Sequence, residues 1–313
     1  MRVEWGGDPQ DVKQARILNR IITWEKWGIQ CEADPRHAEV LIRELEVGNK
    51  EVVVTPGVQW KPEDIESATA LDEKKSGQYR ALAARANYLG LDRVDIAYAA
   101  KECCRHMVNP RTIDWQALRR IARYLKGRPR VAYRFEWQDA GPITAFVDTD
   151  FAGCLETRRS TSGGCLLHGT HLIKHWSSTQ KTLALSSGEA ELYGVVKGAS
   201  EALGLQSLAA DMGIDAPVQI KTDSSAAIGI CTRTGIGKVR HLATGQLWVQ
   251  ENIRNKSIRL FKHPGADNPG DVCTKRVPSE LLNRHLPSVG NKFEMGRADG
   301  APDITEKRGT TGN

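Results

Sequence analysis

Residues 143–150 read ITAFVDTD, a β-favouring apolar run that ends in two carboxylates two positions apart. Such a run suits a strand in the middle of a sheet. A strand of that kind holds Asp148 rigidly at its end, and burial there costs desolvation unless a cation is near. The competing reading is a plain strand-to-turn aspartate. Asp150 shares the face of Asp148 while the strand persists, as an outer-shell partner.

Working outward, GGCLLHG (163–169) and HLIKHWSS (171–178) read as two further strands, with Gly169-Thr170 as a tight hairpin turn. Residues 187–211 predict a long helix with Leu192, Val195, Val196, Ala199 and Leu203 on one face. PVQIKTD (217–223) predicts a fourth strand, SSAAIGICTR (224–233) a short helix, and LATGQLWVQENI (242–253) another helix. SIRLFKH (257–263) is a fifth strand, and residues 269–286 a closing helix. This order predicts a mixed α/β unit with one sheet covered by helices.

Carboxylates recur at the ends of these elements: Asp148, Glu191 in SSGEAELYG, Asp223 in IKTDSSAA and Asp271 in NPGDVCTK. Asp223 and Asp271 each have a competing account as a helix N-cap. Ser186 and Glu189 fit a capping box, which gives Glu189 a structural task. Helical geometry alone leaves Glu189 and Glu191 on opposite edges of the apolar stripe. Four hard oxygen ligands converging on one point would form a magnesium site, and paired magnesium ions serve phosphodiester chemistry.

Upstream, ARILNRIITWEKWG (15–28) and PRHAEVLIRELEVG (35–48) predict helices, EVVVTPGV (51–58) a short strand, and residues 61–77 a polar linker. Residues 78–110 and 112–127 read as helices. In the second, Leu118, Ile121, Ala122 and Leu125 form an amphipathic stripe. Its other side carries Arg119, Arg120, Arg123 and Lys126, read either as a solvated face or as a ridge for a phosphate backbone. After Pro287 the chain turns polar and glycine-rich, which predicts disorder.

The 313 residues suggest about two domains. A net charge of +6 is compatible with a polyanionic partner. The mean hydropathy of −0.43, without a long apolar run or a signal peptide, excludes a membrane span and points to an intracellular protein of the cytoplasm or nucleus. Seven cysteines without CxxC spacing read as reduced thiols rather than a zinc site.

VDTDFAGC, RRSTSGGCLL, SSTQKTLALSSGEAELYG, KTDSSAAI, KVRHLATGQLWVQENI and NPGDVCTK, in this order, resemble the ribonuclease H domain of copia-type LTR retrotransposon Pol polyproteins. YRALAARANYLGLDRVDIAYAA and HMVNPRTIDWQALRRIARYLKG look like the segment joining the polymerase palm to that domain. The resemblance covers residues 51–286 and implies a ribonuclease H-like mixed five-stranded sheet flanked by helices, preceded by a mainly helical connection. The expected organisation is a remnant of the polymerase region over 1–60, a thumb- or connection-like segment over 61–139, the ribonuclease H-like domain over 140–287 and a disordered tail over 288–313.

Carried over residue by residue, the resemblance assigns catalysis and metal binding to Asp148, Glu191, Asp223 and Asp271, and so chooses Glu191 over Glu189. It departs from the family pattern at Phe151, where tryptophan is frequent, at Gly188, where threonine is common, and at Ser224-Ser225, where an Asn-Gln-like pair is frequent; none removes a ligand. The implied reaction is hydrolysis of the RNA strand of an RNA–DNA hybrid using two Mg²⁺ ions, or Mn²⁺, roughly 3.5–4 Å apart. Ser186, Ser187, Ser224 and Ser225 are candidate hydroxyl or phosphate contacts, His263 a candidate for product release or proton transfer, and Arg119, Arg120 and Arg123 for backbone binding. The polymerase part of the same polyprotein is an expected partner. This chain shows no aromatic-Val-Asp-Asp segment, so it is not expected to reverse-transcribe by itself. Two alternatives stand beside this reading: an inactive remnant that binds nucleic acid without cutting it, and a related nuclease acting on DNA.

Overall fold

In a computed structural model, the structure describes residues 6–235, 237 and 244–301. These divide into two units, one formed by Gln138–Gly290 and the other by the residues on either side of it.

The first unit begins with three strands, β1 (Gln14–Ile17), β2 (Arg20–Glu25) and β3 (Gly28–Ala33), where the apolar spacing of residues 15–28 predicts a helix. Ile17 pairs with Arg20, and between them Leu18 and Asn19 have φ of 49° and 61°. Two successive left-handed residues make a two-residue hairpin loop, and β-branched Ile21, Ile22 and Thr23 suit the strand that leaves it. Helices follow: α1 (Arg36–Glu44), α2 (Pro62–Glu66), α3 (Glu73–Leu89), α4 (Val94–Arg105) and α5 (Thr112–Gly127), then β4 (Arg130–Glu136). The polar stretch 61–77 is therefore largely helical rather than a linker. The Asp72 side chain caps α3 by accepting from the Lys75 amide at 2.8 Å.

In α5 the predicted stripe is buried: Leu118, Ile121, Ala122 and Leu125 are at most 1% exposed. Its basic side is committed to the chain before it. Arg120 Nε donates to the Thr55 carbonyl at 3.1 Å, Arg123 Nε to Glu51 at 2.7 Å, and Lys126 Nζ to Gly48 at 2.6 Å and Lys50 at 2.9 Å. Residues 51–58 form no strand, and the carbonyls of Glu51 and Thr55 instead meet side chains of α5.

The second unit contains β5 (Ile143–Asp150), β6 (Thr161–His168), β7 (His171–Thr179), α6 (Ser187–Asp211), β8 (Val218–Thr222), α7 (Ser225–Thr232), α8 (Trp248–Arg254), β9 (Ile258–Lys262), α9 (Asp271–Thr274) and α10 (Ser279–Ser288). The sheet order is β7-β6-β5-β8-β9. The first three strands in sequence are antiparallel, while β8 runs parallel to β5 and β9 parallel to β8. This is the mixed five-stranded, ribonuclease H-like arrangement that the motifs imply. Ile143, Ala145 and Val147 of β5 pack with Leu192, Val195 and Ala199 of α6 and with Val218, Ile220 and Ile258. The single closing helix expected over 269–286 is two helices, because Pro278 disfavours helical backbone at the residue before it and starts α10 afresh. Residues 238–243 of the KVRHLATG motif lie outside the described residues.

A final strand, β10 (Asn291–Glu294), pairs antiparallel with β4 and completes the first unit's sheet in the order β1-β2-β3-β4-β10. The expectation of disorder after Pro287 is thus overturned over these residues. Phe293 lies opposite Val131, and the Arg128 guanidinium sits 4.3 Å from the Phe293 ring centroid, so apolar and cation–π contacts hold a stretch whose composition looks polar. The rest of that expectation, residues 302–313, lies outside the described residues. None of the seven cysteines, all among the described residues, is joined in a disulfide.

Close approach governs how the helices of the second unit sit on the sheet. A Cβ on Gly163 of β6 would come within 2.6 Å of Thr274 Cγ2 and 2.7 Å of Cys273 in α9. Gly163→Ala should therefore push α9 off the sheet and lower stability by about 1–3 kcal/mol, read as a shift of the urea midpoint. Gly204→Ala in α6, where an added Cβ meets nothing within 4 Å, should be neutral or stabilising. Equal midpoints for the two variants would refute the close-packing account.

Candidate metal centre

Asp148 reaches the site from the C-terminal part of β5, where it pairs with Gly163 and is 5% exposed. Three groups from residues 268–275, in and around α9, hold it in place. The buried Asn268 side chain donates to the Val147 carbonyl at 2.8 Å and accepts from the Gly270 amide at 3.0 Å, fixing the Asn-Pro-Gly turn against β5. The Thr274 hydroxyl donates to Asp148 Oδ2. Lys275 Nζ lies 3.7 Å from Asp148 Oδ2 and 2.9 Å from Asp271 Oδ1. Asp271 is the first residue of α9, so the turn that Asn268 anchors brings it alongside Asp148.

Glu191 comes from the first turns of α6. That helix approaches β5 closely because Gly194 and Gly198 lack side chains: a Cβ at each would fall 2.6 Å from Thr149 Oγ1 and 2.4 Å from Val147 Cγ1. The two glutamates have separate fates. Glu189 is 1% exposed, accepts from the Leu185 amide at 2.9 Å and from the Tyr193 hydroxyl at 2.7 Å, while its own amide donates to Ser186 Oγ. Its partner amide belongs to the residue before the cap, one position off the simple capping-box expectation. Glu191 instead faces the other carboxylates, and its buried Oε2 has no hydrogen-bond partner among the described residues.

Asp223 follows β8 and is not the N-cap of α7. Ser224 takes that task, its hydroxyl accepting from the Ala227 amide at 3.1 Å, which leaves the Asp223 carboxylate free of capping. Lys262 holds this corner through the Asp223 backbone carbonyl and Ser225 Oγ. Carboxylate oxygens of Asp148, Glu191 and Asp223 all lie within 4.8 Å of one another.

The remaining candidates spread around this point or away from it. Ser186 caps α6 and Ser187 is exposed beside it. His263 follows β9, its amide bonded to the Thr222 carbonyl at 2.9 Å and its ring edge-on to Phe146 at 5.0 Å. Its Nε2 lies 3.2 Å from the Asp267 carbonyl. Arg119, Arg120 and Arg123 belong to the first unit, and the last two serve the 48–55 segment described above. Thr274, Lys275, Asn268 and Gly163 are contributors that reading the sequence missed. Their only local signals are the Asn-Pro-Gly turn and the position of Thr274-Lys275 one helical turn beyond Asp271.

The arrangement is electrostatically costly without a cation. Burial, with Asp148 and Asp223 adding repulsion, pushes the Glu191 carboxyl up to about 8. Burial and Asp148 push Asp271 up to about 6. Burial opposes the Lys275 ammonium, but Asp148 and Asp271 outweigh it and hold that group above its ordinary value. An orphaned buried oxygen, a convergent oxygen-only donor set and raised carboxyl pKa values suit a hard divalent cation.

No family model matches the chain. The retrovirus-related Pol polyprotein from transposon RE2 of Arabidopsis thaliana is 28% identical over 240 residues, covering 75% of this chain and 16% of that protein. The retrovirus-related Pol polyprotein from transposon TNT 1-94 of Nicotiana tabacum is 29% identical over 206 residues, covering 65% of this chain and 14% of that protein. Over most of its length this chain is similar to the retrovirus-related Pol polyproteins of transposons. That likeness fits the copia-type Pol fragment implied by the motifs, and the chain spans at most 16% of the length of these two Pol relatives. Among solved structures, RNase H1 from the halophilic archaeon Halobacterium salinarum NRC-1 is 17% identical, covering 46% of this chain and 98% of that chain at a TM-score of 0.32. Among the described residues, no helix is long and apolar enough to cross a membrane.

The raised Glu191 carboxyl has a consequence for stability. A carboxyl whose folded pKa lies above its unfolded value adds stability at low pH that is lost as pH rises through the folded value. In EDTA, the melting temperature should fall between about pH 4.5 and about pH 8, the interval over which Glu191 is protonated only in the folded state. Glu191→Gln should flatten that fall and melt higher near the upper end. Parallel melting curves for the two proteins would count against a strained carboxylate cluster.

Proposed function

We propose that the second unit is the ribonuclease H domain of a transposon Pol polyprotein and that it cuts the RNA strand of RNA–DNA hybrids endonucleolytically. The observation that carries this reading is the convergence of Asp148, Glu191 and Asp223 oxygens within 4.8 Å, with one Glu191 oxygen left without a donor among the described residues. Asp148, Glu191, Asp223 and Asp271 would hold two divalent ions, Mg²⁺ or Mn²⁺. When bound, such ions activate water and neutralise the charge developing on the departing 3′ oxygen, leaving 5′ phosphate and 3′ hydroxyl ends.

The chain's own groups do the positioning. Asp148, clamped by Thr274 and by the Asn268 contact to Val147, faces both Glu191 and Asp271 and would hold bound ions together with them. The hydroxyls of Ser186 and Ser224 accept from helix amides, and each keeps its own proton to donate to a 2′-hydroxyl or phosphate oxygen. Ser187 and Ser225 lie next to them on exposed helix starts. Recognition through 2′-hydroxyls reads the shape of a shallow groove rather than base identity. His263, beside the Asp223 corner, is placed for proton transfer or product release.

The experiment is cleavage of a labelled RNA–DNA hybrid by the full chain with Mg²⁺, against duplex RNA and duplex DNA. Metal-dependent cutting of the hybrid is expected, abolished by EDTA and reduced about a hundredfold or more by Asp148→Asn. A folded wild-type chain that binds the hybrid without cutting it would replace hydrolysis by binding alone, and cutting confined to duplex DNA would replace the substrate.

A further inference from the structure

We propose that Lys275 is an internal counter-ion for the Asp148–Asp271 side of the carboxylate cluster, and that its ammonium must leave before a divalent ion can bind there. The proposal rests on the metal-dependent reading above. An ordinary surface pair one helical turn apart would involve Asp271 alone, at 2.9 Å. Here the same ammonium also lies 3.7 Å from Asp148, a nearly buried carboxylate on a different element. It therefore contacts both of the groups that would have to share an ion.

The other side of the cluster is built differently. Among the described residues, no lysine or arginine forms an ion pair with the carboxylate of Glu191 or Asp223, and Lys262 contacts only the backbone carbonyl of Asp223. Among the described residues, no ammonium or guanidinium thus sits in contact with the Glu191 and Asp223 carboxylates, whereas Lys275 already contacts both Asp148 and Asp271. The Lys275 side chain is 44% exposed, so it can swing into solvent on a flexible stem without disturbing the core. The resting protein takes one divalent ion readily and a second only in competition with Lys275.

Mn²⁺ titration of the metal-free full chain tests this, with free ion followed by electron paramagnetic resonance and stability by thermal melting. Lys275→Ala should bind a second Mn²⁺ about tenfold more tightly than wild type, the scale on which one opposite charge within contact distance alters occupancy. Lys275→Arg, which keeps the charge, should resemble wild type. Without metal, Lys275→Ala should melt lower than wild type, yet gain more from Mn²⁺. A structural role alone would lower melting with and without metal alike. Identical Mn²⁺ affinity and number in wild type and Lys275→Ala would overturn the proposal. Absence of Mn²⁺ binding in both folded proteins would overturn the metal-dependent reading beneath it.

Discussion

Like charges gathered at one point repel, and most of the second unit can be understood as the means of keeping four carboxylates together. Asp148 and Glu191 are withdrawn from solvent, where repulsion is screened least. Hydrogen bonds from Thr274 and the ammonium of Lys275 offset part of this cost at Asp148. Protonation offsets another part at Glu191, whose carboxyl is pushed up to about 8. A bound divalent cation would offset the remainder, which is why the strain is informative about chemistry and not only about stability.

Rigid support for such a cluster comes from small residues as much as from large ones. Gly163 lets α9 lie directly on β6, and Gly194 and Gly198 let α6 lie directly on β5. Each removes a side chain that would otherwise hold a carboxylate-bearing helix away from Asp148. Asn268 then ties the turn before α9 to the backbone of β5. The site is therefore mounted on strands and helix starts, whose positions are set by packing on both faces of one sheet.

In the first unit, positive charge is put to structural use. Arg120, Arg123 and Lys126 satisfy carbonyls of a segment that has no strand neighbour. Arg93, 1% exposed, forms a two-point pair with Asp95 at 2.9 and 2.7 Å and also donates to the carbonyls of Arg128 and Pro129. Buried charge of this kind holds only because every donor finds an acceptor. A net positive balance is compatible with nucleic acid, but here several of the cations are already engaged by the chain itself.

The order of elements in residues 143–286 was legible because strand and helix periods are local properties of the sequence, and so were the carboxylates at the element ends. The helix predicted over residues 15–28 failed for the converse reason. Its apolar spacing serves either period, and pairing with β3, which itself pairs with β4, decides between them. The tail strand at 291–294 was illegible because its partner β4 lies far away in sequence. Within the site, the sequence by itself determined which acidic residues stand at element ends, and the family resemblance singled out four of them. Tertiary structure decided which glutamate faces Asp148 and Asp223, that Ser224 rather than Asp223 caps its helix, and that Thr274 and Lys275 close on Asp148. Each of those outcomes depends on which distant group a side chain meets, and that is a property of packing rather than of neighbouring residues.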